Sequence, residues 1–283
     1  WNVKILNRSR GNNMDKMLYK YTTLESLALI LKSKSIRLNP LTVMDDLQET
    51  ESDDDIKYAQ YVFISSWMDQ PLESVAMWKL YSNMNRGVRI GLKRKPFKKY
   101  TVSRTDIQKK VPAANLDKGN CIELIAPIEQ CFNDNYMIVN SAFDQSLEKV
   151  EYTDDPALLS PKLFSIEQDR MGLATATMGK YKNTYWEFQN EERYVLRFLP
   201  VDAKRMIYCE NAKEAVYQAF INTNNSFLPY YDLKIRDDAF NSMEITLSPQ
   251  FTDGNKILLE TLCQKYNPNM KIVESALKNK VRL

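Results

Sequence analysis

Strand signals and helix signals alternate along this chain without settling into a repeating strand–helix–strand unit, and that irregular interleaving most restricts its fold. A doubly wound parallel sheet needs a helix-length crossover after each strand. The spacing here is too uneven for that, so the sequence reads as α+β. Met17–Tyr21 is a short apolar and aromatic strand. Thr22 starts a helix, with Glu25 three residues on completing a capping box. Leu24, Leu27, Ala28, Leu29, Ile30 and Leu31 make that helix apolar nearly all round, which predicts burial. Ser35–Leu38 is a second strand, stopped by Asn39-Pro40. Tyr61–Trp67 is the strongest strand signal. After Pro71 a helix runs from about Glu73 to Met84, with Met77, Leu80, Tyr81 and Met84 on one face. Gly87 ends it, and Val88–Leu92 alternates as the next strand.

The second half continues in the same way. Cys121–Ala126 and Lys149–Tyr152 read as strands, with a helix or loop around Asn133–Ser146. Asp155-Pro156 opens a helix expected to reach Met171, with Asp at the N-cap and Pro at the first helical position. Lys180–Tyr185 leads into Trp186–Arg193 and a strand through Phe198. Strands at Lys204–Cys209, Ser242–Leu247 and Met270–Val273 alternate with helices at Ala212–Ile221 and Gly254–Tyr266. Residues 1–13 are polar and read as an arm; residues 14–283 read as a single α+β domain with a variable insertion at about 100–150.

Composition narrows the chemistry. None of the 283 residues is histidine. Ser-His-Asp and Cys-His nucleophiles, HExxH sites, His-bearing zinc sites and histidine bases are therefore excluded. Glycine numbers only 7, with no GxGxxG and no GxxxxGK[ST], so the usual phosphate cradles are missing as well. The net charge of +3 carries no global nucleic-acid signature. Cys121, Cys131, Cys209 and Cys263 form no CxxC pair and read as reduced thiols. No apolar run approaches the ~18 residues of a membrane span. The opening Trp1-Asn2-Val3-Lys4 has no signal-peptide core, so the expectation is a cytoplasmic protein with no membrane partner.

Three segments stand out: Leu18-Tyr19-Lys20-Tyr21-Thr22-Thr23; Phe63-Ile64-Ser65-Ser66-Trp67 followed by Met77-Trp78-x-x-Tyr81 and Gly87; and Trp186-x-Phe188-Gln189-x-Glu191-x-Arg193. In order and character they resemble a bacterial family known as domain of unknown function twenty-nine seventy-one. The resemblance covers about residues 17 to 275, with 100–150 and 200–235 unmatched. Ser248-Pro249 stands where that family usually has a Gly-Pro turn. Its fold is similar to the ADP-ribosyltransferase fold: split mixed or antiparallel sheets with flanking helices. What the resemblance implies is an enzyme that cleaves NAD and transfers ADP-ribose to a macromolecular acceptor, or hydrolyses NAD, in the manner of a toxin or phage-defence effector. That fold's [EQ]xE falls on Gln189-Asn190-Glu191, its middle element on Ser65-Ser66 with Tyr81 after it, and its first-strand position within Tyr19-Lys20-Tyr21. There is neither histidine nor arginine at that first position.

The residues themselves fit such a reaction. Breaking a nicotinamide–ribose bond passes through an oxocarbenium-like centre. One carboxylate, Glu191, can stabilise that charge and hold a ribose hydroxyl. Gln189 would orient the acceptor or the ribose. Tyr19, Tyr21 and Tyr81 would line a nicotinamide pocket. Lys20, Ser65, Ser66, Trp78 and Arg193 complete the candidate binding set. Each has a plain structural alternative. Gln189, Glu191 and Arg193 share a strand face, which could be an exposed face with a cross-strand ion pair. Tyr19 and Tyr21 could be core tyrosines. Trp78 and Tyr81 could be a core stripe, and Ser65 and Ser66 merely tolerated in a strand. Arg193 could orient Glu191 or simply pair with it.

Two charge runs complete the reading. Lys93-Arg94-Lys95-Pro96-Phe97-Lys98-Lys99-Tyr100 interleaves cations with aromatics and is either a nucleic-acid or protein contact or a solvated loop. A non-catalytic binding module that uses this segment is the rival functional class. Asp45–Asp55, with seven carboxylates and no basic residue, reads as a solvated acidic connector.

Overall fold

Strand pairing converges on one central strand that is shared along one edge. The computed structural model describes residues 16–54, 56–110, 121–167, 170–202, 212–221 and 227–281. The polar arm 1–13, the strand expected at Lys204–Cys209, and Cys209 lie outside the described residues. The first four strands are β1 (Met17–Thr23), β2 (Ser35–Pro40), β3 (Val62–Met68) and β4 (Gly87–Lys93). Next come β5 (Tyr100–Ser103), β6 (Cys121–Leu124), β7 (Met137–Ile138), β8 (Leu147–Lys149) and β9 (Glu151–Thr153). β10 (Phe164–Glu167), β11 (Arg170–Leu173), β12 (Tyr181–Asn183) and β13 (Glu191–Leu199) follow, then β14 (Tyr231–Lys234), β15 (Glu244–Leu247) and β16 (Lys271–Val273).

β3 is buried along almost its whole length, as its near-continuous apolar sequence requires of a central strand. One edge pairs antiparallel with β13, from Met68↔Glu191 to Val62↔Arg197. The other edge is divided. Phe63 and Ile64 pair with Pro40 and Asn39 of β2, whereas Met68 pairs with Tyr19 of β1. β1 and β2 therefore leave the same edge of β3 in different directions, and the sheet splits there. β14 extends the β2 side; β4, β15 and β16 extend the β1 side. β7 and β8 pair with β13, so part of the expected insertion joins the main sheet. The mixed α+β class is what the interleaved pattern led us to expect.

The helix α1 (Leu24–Ser33) bridges the split from β1 to β2. Its N-cap is Thr23, whose hydroxyl accepts from Ser26 N, one residue beyond the expected Thr22. The cap moves because β1 keeps pairing with β4 as far as Thr23. Leu24, Leu27, Ile30 and Leu31 enter the core, each such side chain contributing roughly 1.5–3 kcal/mol. Leu29 is exposed, so the helix is amphipathic rather than buried all round. Lys34 caps its end in the left-handed region (φ 49°), and the turn starts β2. The helix α2 (Val75–Tyr81) is shorter than expected; Ser74 caps it, and Ser82 is already extended.

Other expectations shift further. Asp155 does cap a helix, accepting from Ala157 N, but the helix is a single turn, Pro156–Leu159. β10 and β11 follow instead, paired antiparallel. The helices Ala212–Ile221 and Asp253–Tyr266 form where the sequence placed them, and the second packs on α1. Among the described residues no helix is long and apolar enough to cross a membrane. The three described cysteines, Cys121, Cys131 and Cys263, are free.

Candidate active site

A cleft of about 380 Å³ opens where the sheet splits. β3 forms its floor from Ile64 to Met68, and β1, α1 and β2 form one side. Tyr19, Lys20, Tyr21, Ser65, Ser66 and Tyr81 reach it, and so do Gln189, Glu191 and Arg193. Trp78 does not. It is fully buried behind Tyr21, ring edge to face at 4.8 Å, with its indole N–H on Glu73. Its role is to fix Tyr21, whose hydroxyl accepts from Ser74 N.

Register explains the convergence. Tyr19 pairs with Met68 and Met68 with Glu191, so three strands carry Tyr19, Met68 and Glu191 in one row. On the next strand Gly91 lies opposite Tyr19. A Cβ at Gly91 would stand 3.3 Å from Tyr19 Cε1 and 3.1 Å from Met17 Cε, so glycine gives the Tyr19 ring its room. Arg89 covers that ring, its guanidinium carbon 4.3 Å from the centroid.

The polar row of Gln189, Glu191 and Arg193 is not an exposed strand face; all three residues are buried. Gln189 is not in the strand either. Thr184–Gln189 is a 3-10 turn, and Asn190 adopts a left-handed conformation (φ 42°) before β13 starts. Asparagine tolerates that region, and its amide donates to Asp69 Oδ1 at 2.8 Å. Arg193, 1% exposed, gives all five of its N–H donors to the protein. Nε reaches Glu191 Oε1 (2.6 Å), and Nη1 reaches Glu49 Oε2 (2.8 Å) and Gly179 O (3.0 Å). Nη2 reaches Glu49 Oε1 (2.7 Å) and Glu191 Oε2 (3.0 Å). No donor is left for a ligand, so Arg193 positions Glu191 rather than contacting substrate.

The acidic connector is therefore not simply solvated. Asp46 and Glu49 are buried, and Asp45 fronts the cleft. Lys182, 2% exposed, joins the same cluster. Its ammonium lies 3.3 Å from Glu49 and 3.6 Å from Glu191, donates to Gln189 Oε1 at 2.8 Å, and sits 4.6 Å from the Trp186 ring centroid. Two buried carboxylates thus face two buried cations, and the charges cancel. Tyr81 donates to Asp45 and accepts from the Gln189 amide, which closes the chain of contacts around the cleft.

Burial would raise the Glu191 carboxyl. Arg193, Lys182 and a hydrogen bond from Ser66 outweigh it, and the group lies below the usual glutamate range. Tyr81 is pushed far up by burial and by Asp45, so it stays a donor. Lys20 is only half-buried as a residue, but its ammonium end is set into the split, where it donates to Ser66 O at 3.2 Å. Burial lowers it to about 8, with Glu191 pulling the other way. Ser65 is buried and accepts from the Trp67 indole at 3.2 Å, a structural role.

Glu49 and Lys182 were not singled out from the sequence. Glu49 is one of seven carboxylates in a featureless acidic run, and Lys182 belongs to no motif. The basic segment Lys93–Tyr100 is partly folded in, with Lys93, Lys98 and Lys99 exposed. Phe97 is buried, Arg94 pairs with Glu192, Lys95 with Asp144, and Lys99 with Glu123. No family model, curated protein or solved structure matches this chain.

Proposed function

We propose that this chain is a bacterial member of the domain-of-unknown-function family named above, and that it cleaves NAD, passing ADP-ribose to a macromolecular acceptor or to water. The observation that carries the reading is that Glu191, Ser66, Lys20, Tyr19, Tyr21 and Tyr81 front one cleft at the split of the sheet. The volume is near the low end for small-molecule pockets, so a dinucleotide bound here would lie partly outside.

In this reading the bond between the ribose carbon and the nicotinamide nitrogen breaks, and the electron pair leaves with nicotinamide. Glu191 accepts a ribose hydroxyl and stabilises the positive charge that develops on the sugar. The Arg193 grip keeps it ionised and oriented. Tyr19 offers an aromatic face to the leaving ring, and the buried Tyr21 backs the cleft wall. Water or an acceptor group then attacks the same carbon and loses a proton. Gln189, held between Tyr81 and Lys182, supports the cleft wall rather than the acceptor. An effector that consumes NAD suits toxin or phage-defence biology. The test is incubation with NAD and bacterial cell extract, following nicotinamide release and ADP-ribose attachment. Absence of both removes the reading. A nucleic-acid shift that is salt-sensitive and survives Glu191→Ala would favour the rival binding module on Lys93–Tyr100.

A further inference from the structure

The β2 side of the cleft holds a polar row that the proposed reaction does not use. Ser35, Arg37 and Asn39 alternate along β2, so they share one strand face, and all three front the cleft. Asp232 lies opposite Arg37 in the β14 register and fronts the cleft with it. Its carboxylate binds Arg37 twice, Oδ1 to Nε at 3.1 Å and Oδ2 to Nη2 at 3.3 Å. Behind this pair lies Tyr230, its ring centroid 3.4 Å from the guanidinium carbon. The guanidinium is therefore a plane fixed in orientation, backed by an aromatic ring on one side. The Arg37 side chain remains 43% exposed and Asp232 30%.

Which ligand group suits this wall follows from its charge. Arg37 alone would attract a phosphate. Asp232 neutralises it, so the wall offers little to an anion. It offers instead a flat stacking surface, spare acceptor capacity on Asp232, and the side-chain amide of Asn39. That amide has no hydrogen-bond partner among the described residues. An amide reads a purine edge through one donor and one acceptor, and a carboxylate accepts from an exocyclic amine. Guanidinium planes and aromatic rings stack on bases of any sequence.

We propose that the Asn39–Arg37–Asp232 wall is a subsite for an uncharged purine-type base, with Arg37 as the stacking plane and Asn39 as the edge reader. The inference rests on the dinucleotide reading of the cleft only for the identity of the whole ligand.

The probe is adenosine, which lacks phosphate and cannot be cleaved at a nicotinamide bond. Binding is followed by calorimetry and by backbone amide shifts. Adenosine should bind the wild-type chain at up to millimolar concentration and shift the amides of Arg37, Asn39 and Asp232. It should also bind more tightly than inorganic pyrophosphate. Arg37→Met and Asn39→Leu, checked for an unchanged melting temperature, should each weaken it about tenfold. The proposal is overturned if adenosine does not saturate, if its shifts fall elsewhere, if pyrophosphate binds more tightly, or if both folded variants bind like wild type. No turnover enters the readout. Adenosine bound on this wall by a chain that leaves NAD intact would remove the catalytic reading and keep this one. NAD cleavage without adenosine binding would do the reverse.

Discussion

Arg193 holds Glu49 through both terminal nitrogens, at 2.7 and 2.8 Å, across 144 positions of sequence. The same guanidinium grips Glu191 through Nε and Nη2. One side chain thus ties the acidic connector to the strand that carries the proposed reacting carboxylate.

Removing Glu49 should be severe. Glu49→Ala leaves Arg193 and Lys182 buried with one carboxylate between them, and breaking a buried pair in this way costs about 3–5 kcal/mol. Asp45→Asn, at the half-exposed rim of the same cluster, should cost less than about 1 kcal/mol. Urea unfolding of the two variants checks the contrast. Equal small losses would mean that the Arg193 grip is not structural.

Lys20 should titrate near 8 in the folded protein, because burial disfavours its charge. The unfolded chain holds that proton up to about 10.4. Between those values the unfolded state binds more protons, so this group makes stability rise with pH across that window. Lys20→Met should flatten the rise. Glu191→Gln should move the Lys20 value below about 8, since the Glu191 charge raises it. Carbon-13 NMR of the lysine Cε measures both.

Glu191 has the opposite sign. Its folded carboxyl lies below the ordinary range, so its contribution is present above about pH 4.3 and lost as pH falls through the folded value. Acid unfolding of Glu191→Gln should be less steep than that of wild type. An unchanged acid limb would contradict the ionised Glu191–Arg193 pair.

Gly91→Val should disturb binding more than folding. A side chain there meets Met17 Cε and Tyr19 Cε1, both of which can give way. The expected overpacking cost is about 1–3 kcal/mol, with Tyr19 displaced from the row that leads to Glu191. Steady-state kinetics should show KM rising several-fold with kcat within about threefold, because the proposed reaction has Tyr19 against the bound ring rather than at the breaking bond. A large kcat loss would place Tyr19 in the chemistry.

The strands β1, β3 and β4 were legible because apolar content and alternation are dense there. The helix Asp253–Tyr266 forms within one residue of the expected Gly254–Tyr266. The helix expected from Asp155 to Met171 stops after one turn because Pro161 has no N–H to continue the ladder and turns the preceding Ser160 away from helical geometry. The segment around Gln189 was misread as strand because one left-handed residue, Asn190, separates turn from strand, and residue type alone does not specify φ. The convergence of segments 17–23, 62–81 and 189–193 was legible as motif order. Glu49 and Lys182 were not, since long-range pairing decides which carboxylate in an acidic run is buried. The Arg37–Asp232 pair has a cross-strand register that no local pattern encodes.

The most direct test compares nicotinamide release by wild type and by Glu191→Gln under saturating NAD, with folding verified for both. The account predicts turnover by wild type and a loss of kcat of at least about 100-fold in Glu191→Gln, with KM within a few-fold. Glu191→Gln turning NAD over at the wild-type rate would contradict it.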